Sequence, residues 1–379
     1  PTNVFLDNLR VHVGVDLRAC VEQVRLRRLA RKRAVEGDRA APLLREGVIA
    51  DLVVEAVFED QKIKKEVYGQ LEKVCRADTI IGTNTSSLSV TEMSAVLKHP
   101  ERFIGLHYFY HPAMNRLVEV VPGAATSKQV NQATWTLQEQ IGKIPITSAD
   151  TYGFVVNRFF APWLNEAIRV LEEDIADIPT IEAAAKSAFG VGMGPFELMN
   201  VTGIPILLHV CNTLAANGPF YGPAELLRKK IEEGGPWNLS GGADDSKFAA
   251  VTERLTGAVV LVVTELVEQR VSTIEDVNVG ARVGLRWPVG PFELINQIGI
   301  DRAISSARKV ADHWAIALPD LLQRQAALAQ PFPIQLVRSE IKDGIATLTI
   351  NRPDAMNALN EAVVEQLAQA FDAAESKSK

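Results

Sequence analysis

The segment Asp51-Leu52-Val53-Val54-Glu55-Ala56-Val57-Phe58-Glu59-Asp60 decides the fold of the first part of the chain. It is a short apolar run rich in β-branched residues, and a charged stretch with helical spacing follows it. Such runs alternating with helical stretches are typical of a parallel sheet with helices on both faces. The pattern predicts strands at Val4–Leu6, Ala50–Val57, Thr79–Thr83, Phe103–Tyr108 and Arg116–Val121.

Composition restricts the class of protein. A chain of 379 residues is too long for one ordinary domain, and 47% hydrophobic with 23% charged residues is a globular balance. The net charge of −6 argues against nucleic-acid binding. No run approaches the roughly 18 to 20 apolar residues of a membrane span, and no metal site is predicted. The three cysteines lie far apart, which favours a reducing, cytoplasmic location.

From Gly153 to about Leu322 the spacing is helical throughout, and this part contains an internal repeat. Gly194-Pro195-Phe196-Glu197-Leu198-Met199-Asn200 recurs as Gly290-Pro291-Phe292-Glu293-Leu294-Ile295-Asn296, 96 residues later. A repeated helical unit predicts two copies that stack and cover each other's apolar faces. We call residues 152–240 copy 1 and residues 241–322 copy 2.

The end of the chain changes character again. A Pro- and Ala-rich connector, residues 323–333 at its core, precedes Ile334–Asn351, which predicts two antiparallel strands joined at Lys342-Asp343-Gly344. Glu361–Ala374 has the spacing of an amphipathic helix. Some 45 residues of this kind bury too little surface to fold alone, so residues 334–379 are expected to be part of a larger domain.

Two residues at the carboxyl edge of the predicted sheet are candidates for proton transfer. His107 ends an apolar strand where ligands bind in doubly wound folds, and Glu119 lies among four aliphatic residues that favour its burial. A carboxylate paired with an imidazole would orient a general base. The alternatives are a structural histidine and an outward-pointing Glu119.

Three further polar positions are candidates for ligand contacts. Ser86 lies in a loop dense in hydroxyl and amide groups, Asn157 is set in an apolar helical stretch, and Asp7 closes the strand Val4–Leu6. Their alternatives are a helix N-cap for the Ser86 loop and a helix surface position for Asn157. An acidic residue placed like Asp7 binds the adenosine ribose of dinucleotides, but no G-x-G-x-x-G turn precedes it.

These motifs together resemble the L-3-hydroxyacyl-CoA dehydrogenase family over residues 4 to about 320. The resemblance rests on the following segments: Asp51–Asp60, Asn84-Thr85-Ser86-Ser87-Leu88, Gly105-Leu106-His107, Leu117-Val118-Glu119-Val120, Gly153-Phe154-Val155-Val156-Asn157-Arg158 and the two Gly-Pro-Phe-Glu-Leu units. It implies a Rossmann-type NAD-binding domain in residues 1–151, which lacks the family's first strand and Gly-rich loop, followed by two copies of a helical carboxyl-terminal domain.

The resemblance also implies an activity, the NAD-dependent oxidation of a 3-hydroxyacyl-CoA to the 3-ketoacyl-CoA in fatty-acid β-oxidation. By the resemblance, His107 is the general base and Glu119 is its partner. Ser86 and Asn157 contact the substrate oxygen. The residues that line the nicotinamide side of NAD are Glu59, Lys64 and Asn84, and Asp7 holds the ribose. Tyr110 departs from the family's usual Asn. Duplication of the helical domain would allow a monomer that mimics a dimer contact, and a homodimer is the alternative.

Residues 334–379 resemble the opening of a crotonase-type enoyl-CoA hydratase, through Ala346–Pro353 and Met356-Asn357-Ala358-Leu359-Asn360. A dehydrogenase joined to a hydratase is similar to the bifunctional β-oxidation proteins, and the family's catalytic glutamates come later in that fold. Two other hypotheses remain open: a noncatalytic relative that has lost cofactor binding, and a dehydrogenase of free 3-hydroxyacids, which would use a lysine base.

Overall fold

A mixed six-stranded sheet forms the first part of the protein in the computed structural model, which describes residues 11–14, 50–342 and 345–377. In order across the sheet the strands are β1 (Val11–Gly14), β2 (Leu52–Glu55), β3 (Ile80–Thr83), β4 (Phe103–Tyr108), β5 (Leu117–Pro122) and β6 (Ile144–Thr147). Neighbours are parallel except β4 and β5, which are antiparallel. The carboxyl ends of β2, β3 and β4 therefore lie at one edge.

The predicted strands agree with this sheet where the structure describes them. Phe103–Tyr108 is confirmed to the residue, and β2, β3 and β5 differ from their predictions only at the ends. The predicted strand Val4–Leu6 and Asp7 lie outside the described residues. The sequence did not predict β1 and β6, because each is only four residues long and β6 carries a proline, a residue that sheets accept at their edges.

Helices cover both faces of the sheet. They are α1 (Gln61–Val74), α2 (Val90–Ser94) and α3 (Lys128–Gln140). Val53 and Ile81 pack with Tyr68 of α1 on one face, whereas Leu52 and Val54 pack with Leu137 of α3 on the other. Successive strand residues point to opposite faces, so one apolar run supplies two cores. This is the predicted Rossmann-like arrangement.

The second part is helical, as predicted. Its helices are α4 (Val156–Glu172), α5 (Ile178–Phe189), α6 (Pro195–Thr202), α7 (Ile204–Leu214), α8 (Glu225–Glu233), α9 (Phe248–Glu268), α10 (Ile274–Val279), α11 (Pro291–Ile298), α12 (Ile300–His313) and α13 (Asp320–Leu328). Its core also contains Leu117, Ile144 and Ile146 from the sheet. The sheet and the helices are therefore packed against each other at the β5–β6 edge.

The two copies of the repeat make the same contacts with different residues. Gly194 of copy 1 lies against Glu182, and Gly290 of copy 2 lies against Asn278, which is 96 residues after Glu182. Each of these side chains accepts a backbone hydrogen bond from the start of the next helix, at 2.6 Å in copy 1 and 2.9 Å in copy 2. A Cβ on Gly194 would lie 2.7 Å from the accepting oxygen of Glu182, and a Cβ on Gly290 would lie 2.4 Å from that of Asn278, which explains the glycine in both motifs.

The connector is more structured than the sequence predicted. Helix α13 runs into it because Leu322 is buried in the helical core. Beyond the helix, Asn296 exchanges two hydrogen bonds with the backbone of Phe332, just as Asn200 does with Trp237 in copy 1. The packing of copy 2 thus extends to Phe332, and these residues are not a free linker.

The last part is a hairpin and a helix: β7 (Val337–Lys342), β8 (Ile345–Ile350) and α14 (Glu361–Lys377). The two strands are antiparallel, as predicted, and the turn residues Asp343 and Gly344 lie outside the described residues. Within the described chain no single helix is long and apolar enough to cross a membrane; one pair of helices, Pro195–Thr202 with Ile204–Asn217, meets that criterion jointly but is bent by 102°.

Candidate active site

His107 and Glu119 face each other across the antiparallel pair β4 and β5. They are opposite each other in the strand register, a position in which side chains lie on the same face of the sheet and touch. The His107 Nδ1 atom is 2.5 Å from Glu119 Oε2. Both residues are buried, at 7% and 0% exposure, and His107 Nε2 forms no hydrogen bond with any described residue. The ring therefore has one nitrogen held by a carboxylate and one free for a ligand.

The second oxygen of Glu119 is satisfied by the helical part of the chain. Glu119 Oε1 accepts hydrogen bonds from the backbone amides of Val155 at 3.1 Å and Val156 at 2.8 Å. These amides lie at the N-terminus of α4, where helix donors are otherwise unpaired and the helix dipole is positive. A buried carboxylate is costly unless it is paired. Copy 1 thus provides the hydrogen bonds that the buried carboxylate of Glu119 needs in addition to its contact with His107.

The turn before α4 aims these amides at Glu119. Gly153 has φ of 77° and Phe154 has φ of 51°, both in the left-handed region. A side chain on Gly153 would be strained by that φ, and its Cβ would lie 2.4 Å from Leu214. The ring of Phe154 lies 5.9 Å from the His107 ring, and Phe109 lies 4.4 Å from it on centroids. The imidazole therefore has an aromatic surround.

Ser86 and Asn157 lie together at the same edge. Asn157 Nδ2 donates to the backbone oxygen of Ser86 at 3.3 Å, and the Ser86 amide donates to Glu59 Oε1 at 2.8 Å. The structure therefore joins three of the predicted site residues in one hydrogen-bonded unit, which links the carboxyl ends of β2 and β3 to helix α4. Asn157 is half-buried at the junction of the two parts of the chain.

Lys64 lies beneath this edge and not on it. Its side chain is fully buried, and its ammonium is 2.9 Å from Glu55 and 3.3 Å from Glu59. Burial raises the pKa of Glu59, but the hydrogen bond from Thr85, the charge of Lys64 and the Ser86 amide outweigh it and lower the pKa overall. Glu59 is thus held as an anion between the core and the Ser86 loop.

The sequence reasoning missed a buried polar cluster around Glu55. Glu55 is 2% exposed and also accepts hydrogen bonds from Tyr68 at 2.7 Å and Thr83 at 2.9 Å. Burial, with the charge of Glu55, raises the pKa of Tyr68. The signal was present, since Glu55 is an acidic residue in an apolar strand, just as Glu119 is. The cluster fixes Lys64 and through it Glu59.

Asn84, predicted to line the nicotinamide side of NAD, also lies at this polar edge. Asn84 Oδ1 accepts from the Tyr108 amide at 3.0 Å, while its Nδ2 has no partner among the described residues and remains a donor for a ligand. Phe58, three residues after β2 and 84% exposed, adds an apolar surface. Dinucleotides bind beyond the carboxyl ends of parallel strands. Asp7, predicted to hold the ribose, lies outside the described residues. No three potential metal ligands come together in the described part of the chain.

Comparison with known proteins identifies relatives of this chain. A curated 3-hydroxybutyryl-CoA dehydrogenase from Clostridioides difficile is 40% identical over 164 residues, which are 43% of this chain and 58% of that protein. The chain therefore spans 58% of that relative's length. The structure of 3-hydroxybutyryl-CoA dehydrogenase from Escherichia coli K12 is similar with a TM-score of 0.66 at 23% identity, covering 74% of this chain and 82% of that one. This likeness shows the shared fold.

A third relative is (S)-3-hydroxybutyryl-CoA dehydrogenase from Ralstonia eutropha, whose structure is 35% identical with a TM-score of 0.48 and covers 48% of this chain and 66% of that one.

Family models match most of the chain. The NAD binding domain of 3-hydroxyacyl-CoA dehydrogenase matches residues 2–151, which gives NAD as the cofactor. The carboxyl-terminal domain of the same family matches residues 153–242 and again residues 251–331. The chain belongs to the 3-hydroxyacyl-CoA dehydrogenase family.

Proposed function

We propose that this protein oxidises (S)-3-hydroxyacyl-CoA to 3-ketoacyl-CoA with NAD, as in fatty-acid β-oxidation. The observation that carries the proposal is the contact of His107 Nδ1 with Glu119 at 2.5 Å, which leaves Nε2 available at the carboxyl edge of the sheet. An imidazole so oriented is suited to general base catalysis. The alternative is a noncatalytic, CoA-binding relative of the same fold.

In the proposed oxidation, His107 Nε2 takes the proton of the substrate hydroxyl as the carbonyl forms. Glu119 holds the tautomer that has its proton on Nδ1 and stabilises the imidazolium that results. Because the Val155 and Val156 amides already balance the other oxygen of Glu119, the carboxylate can offer its negative charge to the ring. In the reverse direction the same imidazolium returns the proton to the oxygen.

Ser86 and Asn157 are the residues proposed to bind the oxygen that reacts. Their side chains project from two elements that meet at the hydrogen bond between Asn157 and the Ser86 carbonyl. Donors preorganised around a developing charge stabilise the transition state. Asn84 and Glu59, with Asp7 for the ribose, are the residues proposed to hold NAD, which would supply the hydride acceptor for the carbon that bears the hydroxyl.

The proposal is tested by following NADH at 340 nm with acetoacetyl-CoA, the oxidised form of the substrate named for the relatives. His107→Gln should lower turnover by about 10²- to 10⁴-fold, the usual contribution of a general acid or base, while acetoacetyl-CoA binding persists. His99→Gln is the matched control, because the His99 side chain is exposed and its ring contacts Glu101 at the protein surface. Equal turnover in the wild type and His107→Gln would refute the assignment. No turnover in a folded wild type would favour the noncatalytic alternative.

We also propose that one chain contains the helical contact that single-copy relatives would make between subunits. Support comes from α9 of copy 2, which packs against α4 and α5 of copy 1, and from Trp163 and Trp287, whose rings meet at 5.5 Å across the copies. A monomer is then expected by light scattering coupled to gel filtration. A homodimer is the other outcome and would show that the internal contact does not replace the external one.

For residues 334–379 the proposal is the start of a crotonase-type domain. The hairpin and α14 expose large apolar side chains, including Ile345 at 70% and Phe371 at 61%, as expected of a unit that packs against more structure. The 379-residue chain should not hydrate crotonyl-CoA, because the glutamates of that reaction come later in the fold. Hydration measured by loss of absorbance at 263 nm would contradict this.

A further inference from the structure

Thr85 is buried in the middle of the loop that carries Ser86. Its side chain is fully buried, and its hydroxyl donates to Glu59 Oε1 at 2.5 Å. The same hydroxyl accepts from the backbone amides of Leu88 at 2.9 Å and Ser87 at 3.3 Å. One hydroxyl thus connects Glu59, after β2, to two backbone amides of the loop after β3. Because it is buried, it cannot touch a substrate.

The acceptor of this hydroxyl is itself rigidly held. Glu59 Oε2 is 3.3 Å from the Lys64 ammonium, which is fixed in turn by Glu55 at 2.9 Å inside the core. Glu59 Oε1 takes both the Thr85 hydroxyl and the Ser86 amide. The lowered pKa of Glu59 agrees with an anion that all these donors share. The position of the loop is therefore set from the core of the sheet.

Ser86 is fixed on both sides as a consequence. Its amide is bound by Glu59, and its carbonyl accepts from Asn157. Among the described residues, its own hydroxyl makes no contact shorter than the 3.4 Å to Glu59, so it can turn to a ligand. Without the Thr85 hydroxyl, the partly buried Leu88 amide would lose its acceptor, and the loop would have to move to find another.

We propose that Thr85 is a positioning residue of this site: its buried hydroxyl, between Glu59 and the Leu88 amide, holds the Ser86 hydroxyl toward the substrate oxygen. This inference rests on the proposed dehydrogenase function. It predicts a loss in the catalytic step and little loss in acyl-CoA binding, since removal of an interaction that is made only in the transition state lowers kcat without raising KM.

The matched variants are Thr85→Val, which keeps the shape and removes the hydroxyl, and Thr85→Ser, which keeps the hydroxyl and removes the methyl. Thr85→Val should lower kcat by about 10- to 100-fold, because displacement of a reacting group by about 1 Å costs that much, with KM changed by less than about 3-fold. Thr85→Ser should stay within about 3-fold of the wild type. The His107→Gln variant is the reference for the loss of kcat that follows removal of the general base.

Hydrogen exchange of residues 84–89 gives a second readout that needs neither cofactor nor substrate. The Ser86 and Leu88 amides should exchange at least about 10-fold faster in Thr85→Val than in the wild type, and at the wild-type rate in Thr85→Ser. If the wild type shows no turnover, the proposed function fails while this comparison still decides the hydrogen-bond role. If Thr85→Val does not fold, Glu59→Gln replaces it, since it weakens the acceptor of the same hydroxyl and should also speed exchange.

Three results would overturn the inference. One is wild-type kcat in Thr85→Val alongside the expected loss in His107→Gln. Another is an equal loss of kcat in Thr85→Val and Thr85→Ser, which would assign the effect to the methyl group. The third is wild-type exchange of residues 84–89 in Thr85→Val, or in Glu59→Gln where that variant replaces it.

Discussion

Replacement of Asp276 by Asn should change how the stability of the protein depends on pH. Asp276 lies in α10 of copy 2, is 8% exposed and accepts a hydrogen bond from the Thr147 amide of β6 at 3.0 Å. Burial raises the pKa of its carboxyl from 3.8 to about 6, against the opposing effects of the Thr147 amide and the Arg338 charge; Glu275 adds to the rise. The folded state therefore binds a proton at Asp276 more tightly than the unfolded state does.

The magnitude follows from the linkage between pKa and stability. The pKa of Asp276 rises from 3.8 to about 6 on folding. Since a change of one in pKa corresponds to 1.36 kcal/mol, this rise corresponds to about 3 kcal/mol of folding free energy. Because the folded pKa is the higher one, Asp276 is favourable when protonated, below about pH 4, and this contribution is lost as the pH rises through about 6. Asn carries no charge at any pH, and its Oδ1 can accept from the Thr147 amide as the carboxylate does.

Urea unfolding followed by tryptophan fluorescence, at pH values from 4.5 to 7.5, measures the effect. Above pH 7, Asp276→Asn should be more stable than the wild type by up to about 3 kcal/mol, and the difference should fall to about 1 kcal/mol at pH 4.5. A difference that is constant over this range would refute the reasoning, because it would show that the ionisation of Asp276 is not coupled to folding. A destabilised variant at pH 7.5 would refute it equally.

Three other substitutions test separate parts of the structure. Glu119→Gln should lower turnover at least about 10-fold and change its pH profile, because the amide keeps the acceptor for α4 but loses the charge beside His107; an unchanged profile would mean that Glu119 is purely structural. Gly257→Ala should destabilise by about 1–3 kcal/mol, seen as a lower Tm, because its Cβ would lie 2.3 Å from the Ser306 carbonyl of α12. Gly69→Ala should stabilise by about 0.5–1 kcal/mol, since nothing lies within 4 Å of its Cβ in α1; a lower Tm for it would contradict this.

Much of the sheet could be predicted because its signal is local. A buried strand needs a short apolar run, and β4 shows one from Phe103 to Leu106. Strand β6 could not be found in this way, since four residues with a proline carry little pattern. What holds it is distant in sequence: Asp276 binds the Thr147 amide, and Ser272 donates to the Thr147 carbonyl at 2.7 Å. Such a strand is specified by its neighbours more than by its own residues.

In the candidate site, too, local sequence features could be predicted, whereas contacts between distant segments could not. The sequence could indicate that Glu119 is buried, because its aliphatic neighbours are adjacent to it. It could not indicate that the amides of Val155 and Val156 complete its hydrogen bonding, because a backbone donor has no residue type that marks it. The burial of Thr85 was hidden for a related reason. In a loop of hydroxyl residues, only the fold decides which hydroxyl faces Glu59 and which faces a ligand.

The repeat shows why similar sequences need not have similar roles. Both copies carry the same Gly-Pro-Phe-Glu-Leu unit and the same local hydrogen bonds, so their sequences predict equivalent structures. Copy 1, however, supplies the helix N-terminus that binds Glu119, whereas copy 2 holds the sheet through Asp276 and through Gly284, whose carbonyl accepts from Asn115 at 2.9 Å. Asn115 lies in the loop that joins the strands of His107 and Glu119. Both copies therefore constrain His107 and Glu119: copy 1 binds the carboxylate of Glu119, and copy 2 holds the loop between their strands. A change in copy 2, far from these two residues, should therefore alter their geometry.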